Sequence, residues 1–147
     1  ATWYLNNGYA TTRLARGAHP ATVPAQMYRA RDGWVFVLCM IDKFWRELCD
    51  GLGRPDLIDD PRFRSIPDRR EHREALTPIL DSEFARASPD EWMQRLGGRI
   101  PIAPIYDLQQ GLDNPYVAAV GMIQAVPHPA NPSLRRLAAK ALRFGFQ

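Results

Sequence analysis

Met27-Tyr-Arg-Ala-Arg-Asp-Gly-Trp-Val-Phe-Val-Leu-Cys39 is the stretch that decides the fold class. Two strand-like runs, residues 27–31 and 34–39, flank Asp32-Gly33. An Asp-Gly pair between such runs signals a two-residue hairpin, because both turn positions need positive φ. The second run is apolar at every residue, which suits a strand covered on both faces. Just beyond it, Ile41, Phe44, Trp45, Leu48, Cys49 and Leu52 recur at the spacing of one helical stripe. Asp42 is the candidate N-cap, and Gly51 and Gly53 stop the helix. No strand–helix–strand alternation follows, so a doubly wound parallel sheet is excluded. The expected fold class is α+β: a small antiparallel sheet with several short helices.

Further along, Pro67-Asp68 with Glu71 at capping-box spacing predicts a second helix start. Ala75, Leu76, Ile79, Leu80 and Phe84 form its buried side, and Pro78 is expected to kink it by removing the bond to the Glu74 carbonyl. Ser88-Pro89-Asp90-Glu91 is a third start: cap residue, proline at the first helical position, glutamate two later. Pro101 and Pro104 confine Arg99–Ile105 to an edge strand or a polyproline-like path. Asn114-Pro115 opens a short helix ended by Gly121, and Met122–Val126 reads as a strand. Leu134–Leu142 has helical composition but follows three closely spaced prolines. Residues 1–25 show no sustained period and read as an irregular lead-in. The expected organisation is a lead-in over 1–25, an α+β domain over 26–127 and a tail over 128–147.

The chain's 147 residues suffice for one domain with a core of its own. It starts at Ala1 rather than Met, with no signal-peptide pattern, and no apolar run approaches a membrane span. The net charge of +3 is too mild to argue for nucleic acid. Arg135, Arg136, Lys140 and Arg143 cluster where acids are absent, which reads as a solvated basic tail or a surface that meets phosphate or an acidic partner. The two cysteines, Cys39 and Cys49, sit at apolar positions and read as reduced core residues, which favours a cytoplasmic setting.

A self-sufficient active site is hard to find. There is no glycine-rich dinucleotide loop, no P-loop and no G-x-S-x-G elbow. His19, His72 and His128 lack zinc spacing, so no metal is expected. Asp59-Asp60 are paired carboxylates, but Pro61 follows, and one of them is expected to cap the turn. Arg16-Gly17-Ala18-His19-Pro20 is the better candidate. A glycine beside a cation in a loop lets backbone approach a ligand closely.

Several further motifs run in a recognisable order: Arg16-Gly17-Ala18-His19-Pro20, Asp32-Gly33-Trp34-Val35, Phe44-Trp45-Arg46-Glu47-Leu48-Cys49, Gly53-Arg54-Pro55-Asp56-Leu57, Asp59-Asp60-Pro61-Arg62-Phe63, Glu91-Trp92, Pro101-Ile102-Ala103-Pro104-Ile105, Gly121-Met122 and His128-Pro129. Together they resemble the class III CoA-transferases, the group of formyl-CoA transferase and crotonobetainyl-CoA:carnitine CoA-transferase, with α-methylacyl-CoA racemase as a relative. The resemblance implies a much longer protein, with a large Rossmann-like domain built from both chain ends and a small α+β domain between them. Only the small domain and its linkers match here. The family's nucleophile is an aspartate of the large domain, and no position here matches it, so the resemblance assigns no catalytic residue. It implies that a loop of the small domain lies over the active site. That places Arg16, Gly17, His19, Pro20 and Thr22 close to substrate, although the glycine-rich form of the loop is absent.

The expected function is therefore the substrate-side part of an acyl-CoA:carboxylate CoA-transferase. A coenzyme A thioester would be the substrate of the complete enzyme, and no cofactor would be bound by this chain. Two other readings stand beside it: a free-standing domain that dimerises or binds a partner, and a part of an acyl-CoA racemase. Self-association is expected, because apolar surfaces facing a large domain or a second subunit would need cover. Nucleic acid and membrane are not expected as partners.

Overall fold

The computed structural model describes residues 2–10, 12–124, 130 and 138–139. The chain divides into two compact units, Ala1–Ile105 and Tyr106–Gln147.

The first unit is built on a three-stranded antiparallel sheet in the order β1 (Ala25–Arg29), β2 (Trp34–Leu38), β3 (Ile102–Ile105). The hairpin is where the Asp-Gly pair put it, but its turn differs. Arg29 faces Trp34, so four residues make the link, and Ala30 N–H donates to the Gly33 carbonyl at 3.0 Å. Neither Asp32 nor Gly33 has positive φ. Gly33 is needed for space instead, since a Cβ there would lie 2.9 Å from the Pro89 ring.

β2 is buried on one face only. Val35, Val37 and Cys39 are fully enclosed, while Trp34, Phe36 and Leu38 are half-buried. The expectation of cover on both faces is corrected: composition alone cannot separate a doubly covered strand from one with an apolar outer face. β3 is an edge strand, as its prolines required, with Pro104 opposite Val35.

Helices cover the inner face. In α2 (Asp42–Leu52), Trp45, Leu48, Cys49 and Leu52 are buried, as the stripe foretold. Its cap is Ile41, not Asp42, which is the first helical residue, and Gly53 closes it at φ 72°. α3 (Asp56–Asp59) is one turn. The next helix starts three residues earlier than the Asp68–Glu71 spacing suggested. Ser65 is the cap, paired reciprocally with Asp68, and α4 (Ile66–Glu71) breaks at His72. α5 (Arg73–Phe84) then runs through Pro78 as one element and buries Leu76, Leu80, Glu83 and Phe84. α6 (Pro89–Leu96) carries the Ser88–Glu91 capping box that the sequence announced. Aromatic contacts link the layers: Tyr28 stacks on Phe84 at 4.8 Å, and Phe84 meets Trp92 edge-on at 5.3 Å. The Trp92 indole N–H donates to the Phe84 carbonyl.

Arg69, on α4, is wholly buried. Its guanidinium donates to the Val23 and Phe63 carbonyls and to Asp42, and lies 4.9 Å from the Trp45 ring. One side chain thus joins the lead-in, the turn before α4, and α2.

The lead-in is not wholly irregular. It forms α1 (Thr2–Asn7) and a 3-10 turn at Ala15–Gly17. α1 buries none of its residues, so it has no apolar stripe for a periodicity search to find. In the second unit, Asp107 and Gln110 cap α7 (Leu108–Leu112), and Asn114 caps α8 (Pro115–Ala119). Ile123–Gln124 pairs antiparallel with Ala138–Ala139. Met122 precedes this strand, its N–H donating to the Val117 carbonyl; Ala125 and Val126 of the expected Met122–Val126 strand, His128 and the basic cluster of Arg135, Arg136, Lys140 and Arg143 lie outside the described residues.

Candidate functional site

The Arg16–Thr22 loop is a defined structure because several side chains hold it. Arg16 adopts φ 57°, a left-handed conformation that side-chain-bearing residues seldom take, and Gly17 follows at φ 65°. This double reversal sends the Arg16 guanidinium to the Asp81 carboxylate of α5, at 2.5 Å. His19 shapes the next turn, where its Nδ1 accepts from the backbone N–H groups of Ala21 (3.2 Å) and Thr22 (3.1 Å). An accepting Nδ1 places the ring proton on Nε2. The ring edge also meets Trp3 of α1 at 6.3 Å. Arg73, the first residue of α5, donates through Nη2 to the carbonyls of His19 (2.6 Å) and Pro20 (3.4 Å).

Two clefts flank this loop. One, of about 490 Å³, is lined by Trp3, Asn7, Tyr9, Pro20, Ala21 and Arg70. The other, of about 470 Å³, lies between the Leu14–Ala18 turn and α5, with Arg16, Gln26, Arg73 and Asp81 among its lining. Tyr28 is buried nearby, and burial first, then the Asp81 charge, pushes its phenol well above the usual range. It therefore remains a neutral hydroxyl at ordinary pH.

The structure thus brings together Arg16, His19, Pro20 and Thr22 as parts of one clamped loop. Gly17 is exposed at its tip, with nothing near its missing Cβ. Sequence reading missed Gln26, Arg73 and Asp81. A signal existed for two of them: Arg73, Thr77 and Asp81 recur every four residues, a polar stripe on a helix otherwise read for its apolar side.

Elsewhere, chemistry is quenched. Asp60 accepts from the Arg62 backbone N–H and forks with its guanidinium, which holds its carboxyl at about 2. It is a turn residue, as expected. Burial pushes the Cys39 and Cys49 thiols up to about 12, so neither is a nucleophile. Among the described residues, no group of three His, Cys, Asp or Glu could hold a metal ion. No helix among them is long and apolar enough to cross a membrane.

Comparison with known proteins decides what this scaffold is. The family model of CoA-transferase family III matches residues 1–145. The chain belongs to CoA-transferase family III. Within the family it is 29% identical over 129 residues to the acetyl-CoA:oxalate CoA-transferase of Acetobacter aceti, covering 85% of this chain and 33% of that protein. It is 33% identical over 113 residues to an acyl-CoA transferase of Fusarium pseudograminearum, covering 76% of this chain and 25% of that one. A crystal structure of a CAIB/BAIF family protein from Brucella suis superposes with a TM-score of 0.81 at 26% identity, over 97% of this chain and 36% of that chain. The α+β architecture is thus that of family III. The chain spans between about a fifth and a third of the length of the curated relatives it matches.

Proposed function

We propose that this chain is the small, substrate-side portion of an acyl-CoA:carboxylate CoA-transferase. In this reading, the loop from Arg16 to Thr22 shapes the acyl end of a site completed by residues outside this chain. The observation that carries it is the family match over nearly the whole chain, set against its coverage of about a third of its relatives. The relatives' names supply the chemistry: they move CoA between an acyl-CoA and a second acid such as oxalate, mesaconate or glutarate. The local chemistry agrees. The carboxylate nearest the loop, Asp81, is held by Arg16, and Asp60 by Arg62, so neither is a free nucleophile. The reacting carboxylate is then supplied from elsewhere, and the loop's task is to position and to exclude water.

A graft tests this. The chain replaces the matching segment of the Acetobacter aceti relative, and CoA transfer from acetyl-CoA to oxalate is assayed. Transfer should survive in the graft, fall in its His19→Ala form, and be absent from the 147-residue chain alone. A folded but inactive graft, or turnover by the isolated chain, would sink the proposal.

One observation favours a second reading, a domain that associates with itself or a partner. Met27, Trp34, Phe36, Leu38, Ala103 and Ile105 share the outer sheet face by register, and Ile105 is 41% exposed. An apolar face of this kind is a surface for cover by another body.

A further inference from the structure

The cleft between the Leu14–Ala18 turn and α5 combines a cation in no ion pair and two donors without acceptors. Asp81 is engaged by Arg16. Arg73 is paired with no carboxylate among the described residues. Its Nη2 serves two loop carbonyls, and its Nη1 is buried with no hydrogen-bond partner. Gln26, only 5% exposed, reaches the same cleft from β1, and its Nε2 is likewise buried with no partner. A buried donor left unpaired is costly and uncommon in folded proteins. The two residues, 47 apart in sequence, line one cavity, with these nitrogens buried behind its surface. Leu14, Ala15, Ala18 and Pro78 give that cavity an apolar wall.

We propose that this cleft binds the carboxylate of a small organic acid. One oxygen accepts from Arg73 Nη1 and the other from Gln26 Nε2, while a short aliphatic chain lies along Leu14, Ala18 and Pro78. Both nitrogens are shut off from bulk water. The acid reaches them when the Gln26 amide turns about its last bond toward the cleft, a motion that leaves Arg73 Nη2 on the His19 and Pro20 carbonyls. Glu74, exposed at the same cleft, opposes the incoming charge and weakens the site. The inference stands on these side chains and holds whether or not the transferase reading does.

The competing arrangement is internal: the Gln26 amide turned end for end, with its oxygen accepting from Arg73 and no ligand involved. Butyrate titration of the full 147-residue chain, followed by NMR of the Gln26 side-chain amide and the Arg73 guanidinium, separates the two. The proposal expects saturable shifts at both groups, with propionamide and chloride producing none. Gln26→Met should weaken butyrate by about tenfold, with an unchanged amide spectrum elsewhere. Glu74→Gln, an exposed change that leaves the core intact, should tighten it several-fold. Absence of saturation, equal binding by Gln26→Met, or no gain from Glu74→Gln overturns the proposal. Equal saturation by chloride or phosphate overturns the carboxylate assignment.

Discussion

Arg69 shows how much one side chain can organise. Its guanidinium serves two carbonyls and a carboxylate in different parts of the chain, and no other residue type presents donors in that fork. Asp42, its charged partner, is more than half exposed, so the ion pair itself adds little. The greater loss on truncation is two buried carbonyls without donors. Arg69→Ala should destabilise by about 3 kcal/mol and Arg69→Lys by about 2, read as shifts of the urea midpoint. Asp60 gives a pH signature at the same scale. Hydrogen bonds from the Arg62 side chain, then its backbone, lower the folded carboxyl to about 2. A group depressed on folding stabilises above its unfolded pKa of about 3.9, and that contribution is lost as pH falls toward 2. Urea midpoints measured from pH 5 down to 2 should therefore fall less steeply in Asp60→Asn than in the parent chain.

Among the elements, the close approach of α2 and α6 depends on a missing methyl group. A Cβ at Gly51 would lie 2.3 Å from Leu96 Cδ2, and Leu96 is fully enclosed. Gly51→Ala gains helix propensity yet should lose about 1–2 kcal/mol net, because the core has no room to yield. Thermal unfolding measures it, and Leu96→Val in the same chain should restore part of the loss. Elements of this kind were legible where the signal was local. The Ser88 box, the α2 stripe and the prolines of β3 each state a constraint that neighbours in sequence satisfy. Legibility failed where a distant residue decided. Gly33 yields to Pro89 and not to its own φ, and Trp34, Phe36 and Leu38 look buried by composition while nothing in the first unit encloses them fully. The candidate loop followed the same rule. Its own residues stood out, while Arg73 and Asp81, which hold it, come from a helix more than fifty residues later.

For the molecule as a whole, the outer sheet face sets the expectation. Trp34, Phe36, Leu38 and Ile105 present apolar surface that a solitary domain tends to cover. The isolated chain should self-associate at micromolar concentration, with Phe36→Glu shifting it toward monomer. Light scattering reads both, and a monomeric parent chain would count against a sticky face. Family membership was legible from motif order, because turn and cap motifs survive wherever the scaffold survives. A substrate was not legible, since turn and cap motifs report on the scaffold and not on what it binds.

The clamps on the Arg16–Thr22 loop also fix an order of events. Its ion pair reaches across 65 residues and its backbone anchor across 54. During synthesis the loop emerges before either clamp, and neither can close until Arg73 and Asp81 are made. Closing spans of that length carries an entropic cost that local turns avoid. The loop is therefore shaped only after the segments that clamp it, and a translation pause before residue 81 would leave it open to proteases while the hairpin behind it is already formed.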